Sequence, residues 1–282
     1  MENLVSTQWL ADALGSPDLV VVDASAHLPN AGRDPRAEYD TGHIPGAKFL
    51  DLPSLKDAGS PVPNALPTPE QFAARMAELG ITEATRVVIY DDSAVKTSAR
   101  AWYMFHLFGH DEVAILDGGL GKWKAEGRAL ETGCTDCAAA SYAPRGDKRA
   151  KVRSKADMLA NVESRAAQVV DARDGGRFTA AVDDAVHGLA GGHIPGARNL
   201  PFFKLYNEDG TFKDAAGLQA EFDTAGVDPA GPVITSCGGG VTACVLLFAM
   251  NLLGHEHGEL YDGSWSEWGA DPVTPKEAGE AR

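Results

Sequence analysis

The sequence has few cysteines and no long hydrophobic run, and each shortage excludes a class of protein. Four cysteines among 282 residues are too few for a disulfide framework, so we expect a reducing, cytoplasmic environment. No apolar run reaches the roughly 18 residues that suggest a membrane-spanning helix. The N-terminal segment MENLVSTQWLADAL carries acidic residues and no basic cluster, which is not typical of a secretory signal.

Positive charge is also scarce. The chain contains 25 Lys and Arg against 40 Asp and Glu, which gives a formal net charge of −15. Such a surface repels nucleic acid and anionic membranes, so neither is expected as a partner. Because the overall charge is negative, any anionic substrate must bind at a local positive site.

The rest of the composition is ordinary. Hydrophobic residues make up 44% and charged residues 23%, a normal globular balance.

The sequence repeats itself about halfway along. Three segments of the first half recur in the same order in the second: GHIPGA at 42–47 and 192–197, VVDA at 21–24 and 169–172, and a Leu-x-Gly-His pattern at 107–110 and 252–255. Because the order is kept, we infer two copies of one domain. We expect an N-terminal domain at 1–131, a linker at 132–149 and a C-terminal domain at 150–282.

Each copy alternates short apolar runs with helical patterns, which favours an α/β fold with a mainly parallel sheet flanked by helices. Strands are predicted at 19–22, 86–90, 113–116, 168–170 and 232–236. Helices are predicted at 69–79, 97–108, 120–126, 154–162, 218–225 and 242–253. Thr68 and Gln71 have the spacing of a capping box for the first of these helices, with Pro69 in its first turn.

The most informative stretch begins where the strand predicted at 232–236 ends. Cys237 is followed there by three glycines and a Val-Thr pair, which are Gly238, Gly239, Gly240, Val241 and Thr242. Glycines let a loop turn its N–H groups inward, and the start of the next helix adds partial positive charge. Both effects favour a thiolate, so Cys237 is predicted to be a catalytic nucleophile. The alternative is a buried core cysteine beside a glycine turn.

The first copy lacks this loop. When the two Leu-x-Gly-His patterns are aligned, Asp92 falls opposite Cys237, and the segment DSAVKT at 92–97 contains neither a thiol nor a glycine run. We therefore expect the N-terminal domain to keep the fold without the chemistry.

From about Leu4 to Gly269 the sequence resembles the two-domain sulfurtransferases, which comprise the thiosulfate sulfurtransferases (rhodaneses) and the 3-mercaptopyruvate sulfurtransferases. The likeness rests on the paired GHIPGA motifs, the Cys-Gly-Gly-Gly-Val-Thr-Ala loop and the closing segment YDGSWSEW at 261–268. It implies two tandem rhodanese-like domains, of which the C-terminal one is active.

The resemblance also implies a mechanism. Cys237 would take a sulfane sulfur from a small-molecule donor, become a persulfide and pass the sulfur to a thiophilic acceptor such as cyanide, a small thiol or a thioredoxin-like dithiol. The main-chain amides of the loop would cradle the sulfur; they belong to Gly238, Gly239, Gly240, Val241 and Thr242. Neither a metal nor an organic cofactor is expected.

An arginine is expected to anchor the donor. Arg177 is the second arginine of DARDGGRF at 171–178, and in the family this arginine binds the anionic donor. A guanidinium can grip a carboxylate or thiosulfate with two N–H groups at once. Arg177 is therefore expected to contact substrate rather than to form an ordinary salt bridge, whereas Arg173 is expected to be structural.

The preferred donor is less sharply indicated. The neutral glycines after Cys237 resemble the mercaptopyruvate type, because thiosulfate-preferring members usually carry basic residues there. Three positions depart from that type: Gly239 replaces a serine, Asn64 replaces a histidine whose partner would be Asp51, and Val186 replaces a second substrate arginine. We expect 3-mercaptopyruvate as donor, with thiosulfate as the alternative.

Two other functions are disfavoured. Related cysteine phosphatases carry an arginine six positions after the cysteine, where this chain has Ala243, so a phosphate dianion would find little charge. A non-catalytic binding module would have no use for an intact Cys-Gly-Gly-Gly loop. The pair Cys134 and Cys137 has no further zinc ligands close in sequence and is interpreted as incidental, with a regulatory disulfide as the alternative. Cys244 is interpreted as a packing residue.

Overall fold

The computed structural model describes residues 1–133 and 139–281. The chain forms two compact units, the first made of Met1–Asp57, Leu66–Lys148 and Glu208–Phe212 and the second of Ala58–Ala65, Arg149–Asn207 and Lys213–Arg282. The candidate pair Cys134 and Cys137 lies outside the described residues. No helix within the described part of the chain is long and apolar enough to cross a membrane.

The first unit is built on a five-stranded parallel sheet. Its strands are β1 (Leu4–Val5), β2 (Leu19–Asp23), β3 (Lys48–Phe49), β4 (Arg86–Tyr90) and β5 (Val113–Leu116). They lie in the order β1-β5-β4-β2-β3, and each neighbouring pair is parallel. The helices of this unit are α1 (Thr7–Ala13), α2 (Pro35–Thr41), α3 (Pro69–Glu78), α4 (Ser98–Leu107) and α5 (Gly119–Ala125), with a 3₁₀ turn at Leu52–Ser54.

The second unit repeats this topology. Its strands are β6 (Val152–Arg153), β7 (Gln168–Asp171), β8 (Arg198–Asn199), β9 (Val233–Ser236) and β10 (Glu259–Tyr261), in the parallel order β6-β10-β9-β7-β8. Its helices are α6 (Lys155–Ser164), α7 (Gly175–Thr179), α8 (Ala215–Thr224), α9 (Ala243–Leu252) and α10 (Ser264–Trp268), with 3₁₀ turns at Arg149–Lys151 and Phe202–Leu205. The α/β fold class, with a parallel sheet flanked by helices in each copy, is confirmed.

Burial explains why the central segments read as apolar runs. All four residues of β9 are buried, as are four of the five in β4, which is typical of parallel strands covered by helices. Helix α9 is buried from Ala243 to Met250, so its sequence is apolar on every side rather than on one stripe. The helix that follows the cysteine loop is therefore a core element, and it holds the end of that loop in place.

The predicted elements are found within three residues of their expected ends. The capping box of α3 is present, with the Thr68 side chain accepting from the Gln71 N–H and the Gln71 side chain accepting from the Thr68 N–H. The two-residue strands, the three-residue strand β10 and the short helices α1, α2, α7 and α10 were not predicted, because so few residues show no clear hydrophobic period.

The His-containing GHIPGA turns have a structural role in both units. The ring of His43 stacks on Tyr39 at 3.9 Å and that of His193 stacks on Phe178 at 3.8 Å. Each Nδ1 also lies 2.8 Å from the carbonyl oxygen of the same aromatic residue. Both histidines are buried, so the repeated motif fixes a turn against the core.

Candidate active site

The cysteine lies where a central strand ends. Cys237 directly follows β9, the middle strand of the second sheet, and α9 begins six residues later at Ala243. Ligands of open parallel sheets bind at this edge, outside the carboxyl ends of the strands. The Cys237 side chain is almost fully buried, with 2% exposure. The structure therefore places the predicted nucleophile at the edge of the sheet where parallel folds carry their chemistry.

Residues at the start of α10 hold the cysteine loop in place by hydrogen bonds. The Cys237 N–H donates to Oγ of Ser264 over 3.0 Å, and that oxygen also lies 4.0 Å from Sγ of Cys237. In return, the N–H of Trp265 donates to the carbonyl of Cys237 at 2.9 Å and that of Ser266 to the carbonyl of Gly238 at 2.8 Å. Ser264 has a left-handed φ of 49°, which a non-glycine residue keeps only where its surroundings fix it.

The carbonyl groups of the cysteine loop are all engaged in hydrogen bonds. All six carbonyls from Cys237 to Thr242 accept a hydrogen bond; their donors are Trp265 N, Ser266 N, Asn64 Nδ2, Cys244 Sγ, Cys244 N and Val245 N. Gly240, with φ +79°, lets the chain reverse toward α9. The predicted packing role of Cys244 is confirmed, because this residue is fully buried and its thiol bonds to Gly240.

The main-chain N–H groups of the same loop differ from its carbonyls in their hydrogen bonding. Among the described residues, no hydrogen bond is donated by the main-chain N–H of Gly238, Gly239, Val241 or Thr242. Consecutive N–H groups that have no carbonyl partner form a concave site that binds anions. The loop therefore offers a set of donors beside Cys237, where a thiolate or a persulfide anion requires them.

A buried carboxylate organises the positive charges of the site. The Asp184 side chain has no exposure, and its oxygens accept from Nη1 of Arg173 and Nη1 of Arg177, each at 3.4 Å, and from Nδ1 of His187 at 2.9 Å. Burial by itself raises the pKa of Asp184. The hydrogen bond from His187 and the charges of His187, Arg177 and Arg173 outweigh it and lower the pKa to about 2. Asp184 is thus ionised and ties three cationic or polar groups together.

Arg177 lies in the last turn of α7. Its Nε bonds to Oδ2 of Asp174 at 2.5 Å, and Asp174 also caps the helix through the N–H of Arg177 at 3.0 Å. The Arg177 side chain keeps 22% exposure. The predicted substrate arginine is thus accessible and oriented by two carboxylates, and Asp184 connects it to His187 beside the cysteine loop.

Arg173 has the structural role that was predicted for it. It is 1% exposed, donates from Nε and Nη2 to Asp171 at 2.6 to 3.1 Å, and packs its guanidinium over the ring of Trp265 at 4.6 Å. Burial lowers the pKa of Arg173, but the charge of Asp171, the hydrogen bond to it and the charge of Asp184 raise it above its ordinary value. Arg173 therefore also supplies a fixed positive charge against Trp265, whose main-chain N–H bonds to the carbonyl of Cys237.

His187 was not predicted, although it adjoins the cysteine loop. A side-chain carbon placed on Gly238 would lie 2.2 Å from Cε1 of His187, and one placed on Gly239 would lie 3.3 Å from Nε2. The ring therefore packs directly against the first two glycines after Cys237. The available signal was its position directly after Val186, the residue that replaces an expected arginine, but no motif contains this histidine.

Asn64, one of the positions that depart from the mercaptopyruvate type, contacts the loop. Asn64, which belongs to the second compact unit, donates from Nδ2 to the carbonyl of Gly239 at 3.1 Å. Asp51, in the first unit, accepts at its carbonyl from Nη1 of Arg75 at 3.1 Å. Asn64 thus steadies the loop by a hydrogen bond to its backbone.

The first unit carries carboxylates where the second has its cysteine loop. The structure places Asp91, and not the expected Asp92, opposite Cys237: Tyr90 pairs with Asp23 as Ser236 pairs with Asp171, and the carbonyl of Asp91 accepts from the N–H of Leu120 as that of Cys237 accepts from the N–H of Trp265.

The Asp91 carboxylate accepts from the N–H groups of Ser93 at 2.9 Å and Ser98 at 2.7 Å, and the neighbouring Asp92 forms ion pairs. Asp92 Oδ2 lies 3.2 Å from Nη2 of Arg33 and 3.7 Å from Nζ of Lys124, and the Asp92 N–H donates to Ser25 Oγ at 2.9 Å. A paired carboxylate cannot accept a sulfane sulfur as a thiolate can. Within residues 1–133 and 139–281, no three His, Cys, Asp or Glu side chains are grouped so that they could hold a metal ion.

Comparisons by family model, by sequence and by structure all find proteins of the rhodanese family. A model of the rhodanese-like domain matches residues 6–126 and 154–271. The 3-mercaptopyruvate sulfurtransferase of Escherichia coli (strain K12) is 40% identical over 274 residues, 97% of either chain. A thiosulfate sulfurtransferase of Cricetulus griseus is 38% identical over 272 residues, covering 94% of this chain and 91% of its own. The crystal structure of SseA from Escherichia coli, a 3-mercaptopyruvate sulfurtransferase with the rhodanese fold, superposes with a TM-score of 0.84 at 38% identity, covering 94% of this chain and 99% of that one.

Proposed function

This chain belongs to the rhodanese family, and on that premise we propose that it is a sulfurtransferase that moves sulfur from 3-mercaptopyruvate to a thiophilic acceptor through a persulfide on Cys237. The observation that carries the proposal is the cysteine loop. Its six carbonyls are bound elsewhere, while four of its N–H groups donate no hydrogen bond to another described residue.

The first step loads the enzyme with sulfur. The Cys237 thiolate attacks the sulfur of the donor, so a Cys237 S–S bond forms and the bond between that sulfur and C3 of 3-mercaptopyruvate breaks. The electron pair of the broken bond goes to C3, which then takes a proton to give pyruvate. The loop N–H groups, the N-terminus of α9 and the charge of Arg173 stabilise the thiolate before this step and the persulfide anion after it.

The second step unloads the sulfur. A nucleophilic acceptor attacks the outer sulfur of the persulfide, the S–S bond breaks, and Cys237 leaves as a thiolate. Cyanide gives thiocyanate in this way, and a small thiol would give its own persulfide. In a thioredoxin-like dithiol the second thiol would then attack that persulfide, release hydrosulfide and leave a disulfide. We propose all three as acceptor classes, because a buried loop of small residues favours none of them by charge.

Arg177 is proposed to hold the donor. Its guanidinium is partly exposed and oriented by Asp174 and Asp184, so a bidentate contact with a carboxylate costs little further ordering. The chain as a whole carries a net charge of −15. A local cation is therefore required for any anionic donor to bind beside Cys237.

Thiosulfate is the second candidate donor. It is supported by Gly239, which offers no hydroxyl to a leaving group, and by Val186 and Asn64, which remove a cation and an imidazole found in the mercaptopyruvate type. The neutral Gly238, Gly239 and Gly240 favour 3-mercaptopyruvate, because a thiosulfate dianion would find no cationic side chain in the loop itself.

The domain roles follow from the residue that each copy carries after its central strand. We propose residues 1–131 as a catalytically inactive domain with Asp91 in place of the nucleophile, 132–149 as a linker and 150–282 as the catalytic domain. The acidic composition and the thiolate chemistry support a reducing cytoplasmic location without nucleic acid or membrane partners. The proposed mechanism uses neither a metal nor an organic cofactor.

A pair of cysteine variants tests the proposal. Cys237→Ser should abolish thiocyanate formation from 3-mercaptopyruvate and cyanide, because a serine hydroxyl cannot carry sulfane sulfur. Cys244→Ser, seven residues along the chain and equally buried, should keep most of the activity. Equal loss in both variants would attribute the effect to folding, and full activity in Cys237→Ser would refute the proposal.

A further inference from the structure

The position of His187 suggests a role that the family comparison does not assign. Cε1 of the imidazole lies closest to a side-chain carbon placed on Gly238, with Nδ1 at 3.0 Å and Nε2 at 3.1 Å from it, and Nε2 is the ring atom near such a carbon on Gly239. The side chain keeps 22% exposure, so it is not enclosed in the core. Because the ring packs against the first two glycines after Cys237, it lies beside the loop at which a small molecule would bind.

Asp184 fixes which nitrogen of His187 can exchange a proton. The Asp184 carboxylate is buried and ionised, so at 2.9 Å it accepts a hydrogen bond from Nδ1. A neutral imidazole whose Nδ1 carries the hydrogen has its lone pair on Nε2. Nε2 is therefore the atom that takes up or releases a proton, and it is the nitrogen that lies 3.3 Å from the position of a side-chain carbon on Gly239.

The loading step with 3-mercaptopyruvate requires a proton to move. The donor begins with hydrogen on sulfur and ends as pyruvate with an additional hydrogen on C3. Summed over the step, the Cys237 thiolate and the donor give a Cys237 persulfide anion and pyruvate, so no proton is gained or lost overall. One proton passes from the sulfur to the carbon that the sulfur leaves.

Other groups of the described site are poorly suited to carry that proton. Arg173 and Arg177 remain protonated at any physiological pH. Asn64 has no titratable atom, and Gly239 has no side chain. The hydroxyl of Ser264 lies 2.9 Å from the carbonyl of Tyr261 and accepts from the N–H of Cys237, which holds it in the scaffold.

We propose that Nε2 of His187 takes the proton from the donor's S–H group and delivers it to C3 as the carbon–sulfur bond breaks. This inference rests on the proposed function, since it concerns the loading half of that reaction. Asp184 holds the ring, and its link to Arg177 through the same oxygen, Oδ1, sets the proton carrier beside the group that binds the donor's carboxylate.

The two half-reactions provide an internal control. Loading from 3-mercaptopyruvate needs the proton transfer, whereas discharge of the persulfide by cyanide forms thiocyanate without any proton reaching carbon. In single-turnover experiments without acceptor, His187→Gln should slow pyruvate formation about 100-fold, as expected when a general acid–base group is removed. Once loaded, the same variant should release thiocyanate on mixing with cyanide at a rate within about threefold of the wild type, because this step avoids the proton transfer.

A second histidine variant controls for loss of an imidazole in general. His257 is exposed, and its Nε2 bonds to the carbonyl of Gly231 at 2.8 Å, away from the cysteine loop. His257→Gln should match the wild type in both half-reactions. Equal slowing of loading and discharge in His187→Gln would show that the ring only supports the loop, and no slowing of either would show that it has no role; both results overturn the inference. Failure of the wild type to form pyruvate would instead refute the proposed function.

Discussion

The carboxylate of Asp184 binds Nδ1 of His187 at 2.9 Å while having no exposure of its own. The same carboxylate pairs with Arg173 and Arg177, so one buried charge orients three groups around the cysteine loop. Removing the Asp184 carboxylate would leave the buried Arg173 with one carboxylate partner fewer. Loss of one partner of a buried ion pair lowers the free energy of unfolding by several kcal/mol.

The first prediction concerns acid stability. The pKa of Asp184 is lowered to about 2 in the folded chain, whereas the pKa of an aspartate in an unfolded chain is about 3.9. The folded state therefore binds fewer protons, so this contribution to stability is fully present above the unfolded pKa and is lost as the pH falls toward 2. Urea unfolding at a series of pH values should show a steeper acid decline for the wild type than for Asp184→Asn. Parallel curves would contradict the ionised, paired state of Asp184.

The second prediction compares two glycines of the loop. Neither Gly238 nor Gly239 has a left-handed φ, so alanine brings no backbone strain and only its side-chain carbon matters. In Gly238→Ala that carbon would meet His187 at 2.2 Å, whereas in Gly239→Ala it would lie 3.3 Å away. We expect kcat/KM with 3-mercaptopyruvate to fall about 100-fold in Gly238→Ala, the scale of an ångström-sized misplacement.

Gly239→Ala is the matched control for this prediction, because a neighbour at 3.3 Å needs to move by only a few tenths of an ångström. Its kcat/KM should fall much less than that of Gly238→Ala. Similar losses in the two variants would mean that the loop needs flexible glycines in general, and that contact with His187 is not the reason for Gly238.

The third prediction concerns donor binding. Arg177→Ala removes a charge-assisted contact with the donor's carboxylate, and such contacts contribute about 1.5–3 kcal/mol. The KM for 3-mercaptopyruvate should therefore rise about 10- to 100-fold with a smaller change in kcat. The KM of Arg177→Lys should lie between those of the wild type and Arg177→Ala, because lysine keeps the charge without the planar pair of donors.

Arg153 offers a control for the loss of one positive charge from the same unit. It pairs with Glu259 at 2.6 Å and lies on the edge strand β6, on the far side of β10 from the cysteine strand in the sheet order. Arg153→Ala should leave the KM for the donor within about twofold of the wild type, as expected for a screened surface charge. An unchanged KM in Arg177→Ala would remove that residue from the donor site.

The fold could be predicted from the sequence where its signals are local. The strands at 86–90 and 113–116 agree with the observed β4 and β5, and the capping box of Thr68 and Gln71 forms at the expected helix start. Strands such as β8, Arg198–Asn199, could not be predicted, because a two-residue strand exists only through its pairing with β7, far away in sequence.

The candidate site likewise has a part that the sequence could predict and a part that it could not. The position of Cys237 between a strand and a helix is a local pattern, and so is the placement of Arg177 in its motif. The contacts of Asp184 with His187 and of Ser264 with Cys237 depend on which loops meet at the sheet edge. Ser264 lies 27 residues beyond Cys237, and no spacing rule connects the two, so only the folded structure could bring them together.

The central claim is that sulfur rests on Cys237 between donor and acceptor. The most direct test is to mix the protein with 3-mercaptopyruvate without acceptor, block the thiols and measure the masses of the peptides that contain Cys237 and Cys244 separately. The account predicts one added sulfur atom on Cys237, none on Cys244, and loss of the added mass when cyanide is supplied. A Cys237 that stays unmodified while pyruvate accumulates, or an added sulfur on Cys244, would contradict it.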